Sequence, residues 1–154
     1  MALRTKKIVT VIGWREWVAL PELHIEQIKV KIDSGARTSA LHAENIRMIK
    51  NRDGSTTVSF SVVPSQDKKK RVRAKATLVD RRWVRSSTGA ATLRPVISTL
   101  IKMGGKAWPI EITLVNRDPM GFRMLVGRQA LGHGFLIDPA KSFLLGRNPK
   151  EDSL

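Results

Sequence analysis

Apolar and polar residues alternate with a period of two along most of this chain. In "QIKVKI", Ile28, Val30 and Ile32 share one face while Gln27, Lys29 and Lys31 share the other. The alternation returns at Val58, Phe60 and Val62, at Val72, Ala74, Ala76 and Leu78, and at Ile110, Ile112 and Leu114. Successive side chains of a strand point to opposite faces, so this pattern predicts half-buried β-strands. Turn-forming clusters separate the runs: "NRDGS" at 51–55, "PSQDKKK" at 64–70, "KMGGK" at 102–106 and "NRDPMG" at 116–121. No long helical period is present. The best short helix is "RQALG" at 128–132, ended by a glycine. Many short strands in this length predict a single all-β domain, a compact and mostly antiparallel barrel or sandwich.

Length and composition agree with one domain. A chain of 154 residues is long enough to bury roughly 70% of its extended surface. A hydrophobic content of 42% supplies a core. The domain is expected over residues 1–154, with its core at 7–146 and frayed ends at 1–6 and 147–154. No apolar run reaches the ~18 residues of a membrane helix. The start, "MALRTKKIVTVIG", has a broken apolar stretch and no small-residue cleavage site, unlike a secretory signal. With no cysteine there is neither a disulfide framework nor a thiolate metal site. A cytoplasmic location without membrane attachment is the expectation.

Charge changes the picture more. Lys and Arg number 28 against 13 Asp and Glu, a formal net charge of +15. Such a field attracts anions: RNA, ribosomes, anionic surfaces or acidic peptides. Aromatic residues make up only 5% of the chain and tyrosine is absent, which weakens a reading based on base stacking. The run "KKKRVRAK" has two readings. Arg71, Arg73 and Lys75 alternate with apolar residues and form either the solvated face of a strand or a specific anion-binding patch.

Candidate chemistry is sparse. There is no HExxH, Walker loop, GxSxG or dinucleotide-binding glycine fingerprint. His24, His42 and His133 are far apart and lack zinc-ligand spacing, so a metal site built from them with Asp138 is not expected. What remains is Asp33, delivered by an alternating strand into Ser34-Gly35-Ala36. Asp-Ser-Gly is good turn chemistry, so this residue is an ordinary turn aspartate, a cap or a working carboxylate. Ser34 can brace such a loop, and Gly35 and Ala36 leave room for a second chain or a substrate.

Asp33-Ser34-Gly35-Ala36, followed much later by "LVGRQAL" with Val126, Gly127 and Arg128, resembles the retropepsin-type aspartic proteases. The wider set "IGWREWVALPEL", "KIDSGARTSALHA", "VRSSTG", "WPIEITLVNRDPMGFRMLVGRQAL" and "FLIDPAKSFL" spans about residues 12–145. It resembles a bacterial and archaeal family labelled "ATP-dependent zinc protease", whose members often lie beside or fused to RimK-type ATP-grasp ligases. The resemblance implies a compact closed barrel of acid-protease type with one short helix near the C-terminus. It also implies a catalytic Asp33, a strand around Val126, Gly127 and Arg128 supporting it, and a flap hairpin at 85–93. Neither half of "ATP-dependent zinc" has a motif here, so no cofactor is expected and ATP is assigned to the ligase.

The chain has one Asp-Ser-Gly, whereas aspartic proteolysis needs two carboxylates sharing a proton. The resemblance therefore implies a homodimer with one Asp33 from each subunit. Arg37, with Arg85, Ser86, Ser87, Thr88 and Gly89 of the flap, is the expected substrate-binding set. The cations favour an acidic peptide, such as a glutamate-modified protein tail. Two other classes stay open: a non-catalytic regulator of a RimK-type ligase or the ribosome, and a basic RNA-binding barrel.

Overall fold

A computed structural model describes residues 9–65, 70–85, 88–116, 121–132 and 134–146. Among these residues the predicted alternation becomes eleven strands: β1 (Thr10–Gly13), β2 (Arg15–Leu20), β3 (Ile25–Asp33), β4 (Ser39–His42), β5 (Glu44–Lys50), β6 (Thr56–Val62), β7 (Val72–Arg85), β8 (Ala91–Met103), β9 (Lys106–Val115), β10 (Met124–Gly127) and β11 (Phe135–Asp138). Among the described residues one α-helix, α1 (Arg128–Leu131), falls at the predicted place and ends at Gly132 with φ 57°. A 3-10 turn, Pro21–Leu23, joins β2 to β3.

Six strands close into a barrel in the order β2-β3-β10-β4-β9-β8, with β8 returning to β2 at Ala19 and Lys102. The pairing is less uniformly antiparallel than the sequence suggests. β10 runs parallel to β3, β4 parallel to β9, and β1 parallel to β11 in a separate two-stranded sheet. Ile28, Val30, Leu41, Ile101, Ile112 and Leu114 fill the buried core with less than 2% of their surface exposed. Burial of each such side chain favours folding by about 1.5–3 kcal/mol. Beyond β8 the sheet continues as a wing, β7-β6-β5.

β6 departs from simple alternation. Val58, Phe60 and Val62 are buried as expected, but Ser59 and Ser61 on the opposite face are buried too. Arg73 on β7 covers them, its guanidinium donating from Nη1 to Ser61 Oγ and from Nη2 to Ser59 Oγ, each at 3.3 Å. Hydroxyls can be buried at little cost when a donor meets them.

Glu16 is fully buried because it shares the inward face of β2 with Val18 and Leu20. Its Oε2 accepts the backbone N–H of Gly13 at 2.6 Å and of Leu144 at 3.0 Å, and its Oε1 that of Leu145 at 3.2 Å. It thus ties the segment after β11 to the start of the barrel. Gly13 completes this junction, since a Cβ there would lie 2.4 Å from the carbonyl oxygen of Lys141. Glu16→Ala strands one buried backbone donor, at about 1–3 kcal/mol, and two part-buried ones at less. The expected result is a fall in urea midpoint equivalent to roughly 2 kcal/mol, with a smaller fall for Glu16→Gln, which keeps one acceptor oxygen.

Candidate active site

β3 ends at Asp33, in register with Gly127 at the end of β10. The chain reverses immediately: Ala36 N–H donates to the Asp33 carbonyl at 3.2 Å, and Gly35 N–H donates to Asp33 Oδ1 at 3.0 Å. Among the described residues Gly35 is the only donor to this carboxylate. Asp33 is half-buried, and Ser34 and Gly35 are exposed beside it. The loop is therefore stiff, but it leaves Oδ2 available.

The segment Val126-Gly127-Arg128 holds this loop from below. Arg128 N–H donates to the Ala36 carbonyl at 2.8 Å and Gln129 N–H to the Arg37 carbonyl at 3.1 Å. Arg128 Nη1 donates to the Gly35 carbonyl at 3.2 Å. Gly127 N–H donates to Ser39 Oγ at 3.1 Å, while the Ser39 carbonyl accepts from Thr113 Oγ1 at 3.0 Å. Val126, Gly127, Ser39 and Thr113 are all buried, so water does not compete for these bonds. Trp108 Nε1 donates to the Ala130 carbonyl at 2.8 Å and fixes α1 against β9.

Sequence reasoning put the brace on Ser34. In the structure the Ser34 hydroxyl has no hydrogen-bond partner among the described residues, and Ser39 supplies the brace. The available signal was parity: Ser39 and Leu41 alternate inward along β4, so a hydroxyl at 39 enters the interior and needs a partner. Arg37 is exposed on the loop's outer side and contributes its carbonyl to α1.

The segment at 85–93 forms the end of the long β7–β8 hairpin, with Arg85 opposite Ala91 and Trp83 opposite Leu93. Thr88 and Gly89 are exposed at its turn, Gly89 with φ 87°; Ser86 and Ser87 lie outside the described residues. Trp83 is 71% exposed, uncommon for an indole that nothing in the fold uses. At the base, Arg82 bonds Asp80 Oδ2 at 3.0 Å and Glu111 Oε1 at 2.5 Å. The Glu111 carboxylate, and then Asp80, raise the Arg82 pKa above its ordinary value. The Arg81 N–H, and then the Arg82 guanidinium, hold Asp80 below its own.

The remaining candidates do not converge. His24 is exposed at the end of the 3-10 turn, with φ 61°. His42 is buried at the end of β4, with Nε2 3.6 Å from Glu44 Oε1. Asp138 caps its own turn by accepting Ala140 N–H at 3.0 Å. His133 lies outside the described residues. Among the described residues no three His, Cys, Asp or Glu side chains group as metal ligands.

Comparison with known proteins agrees with this geometry. Probable alpha-L-glutamate ligases from Shewanella pealeana and Desulfotalea psychrophila are 49% and 46% identical over 88% and 92% of this chain. The chain spans 30% of the length of each of these curated relatives. A crystal structure of a Legionella pneumophila protein of unknown function superposes with a TM-score of 0.73 at 27% identity, covering 88% of this chain and 98% of that one. Residues 11–148 match the RimB-like family, described as retropepsin-like aspartic endopeptidase RimB. With its closed barrel, its Asp33 loop and its Gly127 strand, the chain belongs to that RimB-like family.

Proposed function

We propose that the protein is an aspartic peptidase whose active site forms where two copies meet, each contributing Asp33. The observation that supports this most directly is the loop itself. A single carboxylate per chain stands on a rigid, doubly tied turn with one oxygen unshared. Two such carboxylates across a two-fold axis titrate as a pair and hold one proton between them. The ionised member takes a proton from water, whose oxygen adds to the scissile carbonyl carbon. The protonated member gives its proton to the carbonyl oxygen. Collapse of the resulting diol moves a proton to the leaving nitrogen as the C–N bond breaks.

In this reading Gly35 and Ala36 shape the loop, and Val126, Gly127 and Arg128 keep it in place. The hairpin carrying Arg85, Thr88 and Gly89 closes over an acidic substrate, with Arg37 at the cleft rim. The substrate class rests on the +15 charge and on the relatives' ligase names, which favour glutamate-modified protein tails as the target and a RimK-type ligase as an associate. A second reading, a non-catalytic regulator of such a ligase, draws on the same names. No helix among the described residues is long and apolar enough to cross a membrane, and the proposed setting is the cytoplasm.

Dilution tests the shared site. Specific activity on an acidic peptide should stay constant at high protein concentration and fall in proportion to concentration below the dimer dissociation constant. A specific activity independent of concentration across a measured dimer-to-monomer transition would refute the shared site. Absence of cleavage at every concentration, with the protein folded and dimeric, would favour the regulator.

A further inference from the structure

The wing carries a second cationic surface, separate from the Asp33 loop. On β7, Arg73 and Lys75 occupy alternate positions and so share one face, and Arg71 immediately precedes the strand. Across the ladder Arg73 stands opposite Ser61 and Lys75 opposite Ser59. On β5, Arg47 stands opposite Ser59 and Glu44 opposite Ser61. The 3-10 turn approaches the same region. Glu22, His24, Ser59, Arg73, Ala74 and Lys75 together line a cleft of about 280 Å3.

This arrangement differs from a merely solvated strand face. Arg73 is held across the sheet by two buried serine hydroxyls, which use two of the five guanidinium N–H groups and leave three in a fixed direction. The two carboxylates nearby are already engaged: Glu44 by Arg71 at 3.1 Å, and Glu22 by the N–H of Leu100 at 2.7 Å. Among the described residues neither Lys75 nor Arg47 has an ion-pair partner. The cleft therefore offers an immobilised guanidinium beside an unpaired ammonium and an exposed imidazole, and the one carboxylate in its lining, Glu22, is turned to the Leu100 N–H.

We propose that this face is an anion-binding exosite for an extended acidic polypeptide. Alternate residues on β7 repeat at about 7 Å, the spacing of alternate side chains in an extended peptide, so carboxylates on one side of such a peptide can meet Arg73 and Lys75 together. A guanidinium held in one orientation suits a planar carboxylate. No aromatic residue stands among the residues of this face, so it lacks the stacking platform that single-stranded nucleic acid uses. The site would hold a length of acidic chain away from the Asp33 loop, and its occupancy does not depend on whether that loop is catalytic.

The probe is a fluorescently labelled ten-residue oligoglutamate, titrated at low salt into the full chain carrying Asp33→Asn so that it is not consumed. Adding Arg73→Ala with Lys75→Ala is expected to weaken binding by about tenfold or more, as loss of charge-assisted bonds implies. Removing equal charge elsewhere, with Lys102→Ala and Lys141→Ala, should change it by less than about twofold. Lys75→Glu alone, at an exposed position, covers the case in which the Arg73 variant does not fold, and should weaken binding more than Lys102→Glu. Equal weakening by both pairs would show that net charge alone attracts the peptide and would overturn the site. Absence of binding at low salt would overturn it as well. Tighter binding of a ten-nucleotide single-stranded RNA, with the same loss on Arg73 and Lys75 substitution, would assign the face to phosphates instead of carboxylates.

Discussion

Asp33→Asn is expected to abolish cleavage while leaving the fold and the pairing of subunits intact. The amide keeps the size of the carboxylate and an oxygen to accept the Gly35 N–H at 3.0 Å, so the turn survives. It cannot take a proton from water or share one with its counterpart. Proton transfer by a positioned side chain contributes about 100- to 10,000-fold, and a loss of at least that size is expected here because a single group serves both half-sites. Mixing wild-type and variant subunits sharpens the test. With random exchange and inactive heterodimers, activity follows the square of the wild-type fraction, so an equal mixture retains about one quarter. A straight line, with exchange shown independently by mass-tagged subunits, would mean that each chain works alone and would end the two-carboxylate mechanism.

Gly127→Ala should damage the protein at least as severely, although it touches no reacting atom. The backbone at 127 has φ −87°, open to any residue, so the reason for glycine is space. A Cβ there would stand 2.6 Å from the Thr38 carbonyl oxygen, 2.7 Å from its carbon and 2.9 Å from the Ala36 oxygen. These are backbone atoms of the loop that follows Asp33, and no rotamer change relieves the overlap. Overpacking of this kind costs about 1–3 kcal/mol, and displaced hydrogen bonds to Ala36 and Ser39 add to it. Stability should fall by roughly 3 kcal/mol or more. Catalysis should fall about 100-fold even where the chain still folds, because a 1 Å misplacement of an aligned group is enough. Gly134→Ala, where an added Cβ meets nothing within 4 Å, is the control and should change the midpoint of thermal unfolding little. An unchanged midpoint and activity in Gly127→Ala would mean that the loop is not held from beneath.

The barrel was legible because its strands alternate: Ile28, Val30 and Ile32 could be placed inside from spacing alone. The helix at Arg128–Leu131 was legible from a glycine after a short apolar run. Parallel pairing was not, because period-two alternation says which face is buried and nothing about a strand's neighbour. Asp33 with Gly127 is such a case: 94 positions apart, they meet only because β10 inserts parallel to β3. Ser39 and Glu16 were missed for a related reason. A polar residue at an inward position looks like an interruption of the pattern until its partners, which lie far along the chain, are known. Arg73 is a different case: spacing left it open between a solvated strand face and an anion patch, and it covers two serines that alternation had assigned to solvent.

The β7–β8 ladder is broken once, where Leu78 pairs with Ile97 and Asp80 with Val96, leaving Val79 as an extra residue. On the barrel side of that bulge β8 is rooted by Ile97, Ile101 and Met103; on the other side Trp83 and Leu93 stand in the open. A bulge loosens pairing locally while the ladders on both sides stay whole. The bulged strand bends and twists more at Val79, so the outer part of the hairpin leaves the barrel in a new direction. Arg82 lies just beyond the bulge and reaches across β8 to Glu111 on β9. It fastens the hairpin beyond the bulge to the barrel strand β9, as a stay fastens a mast.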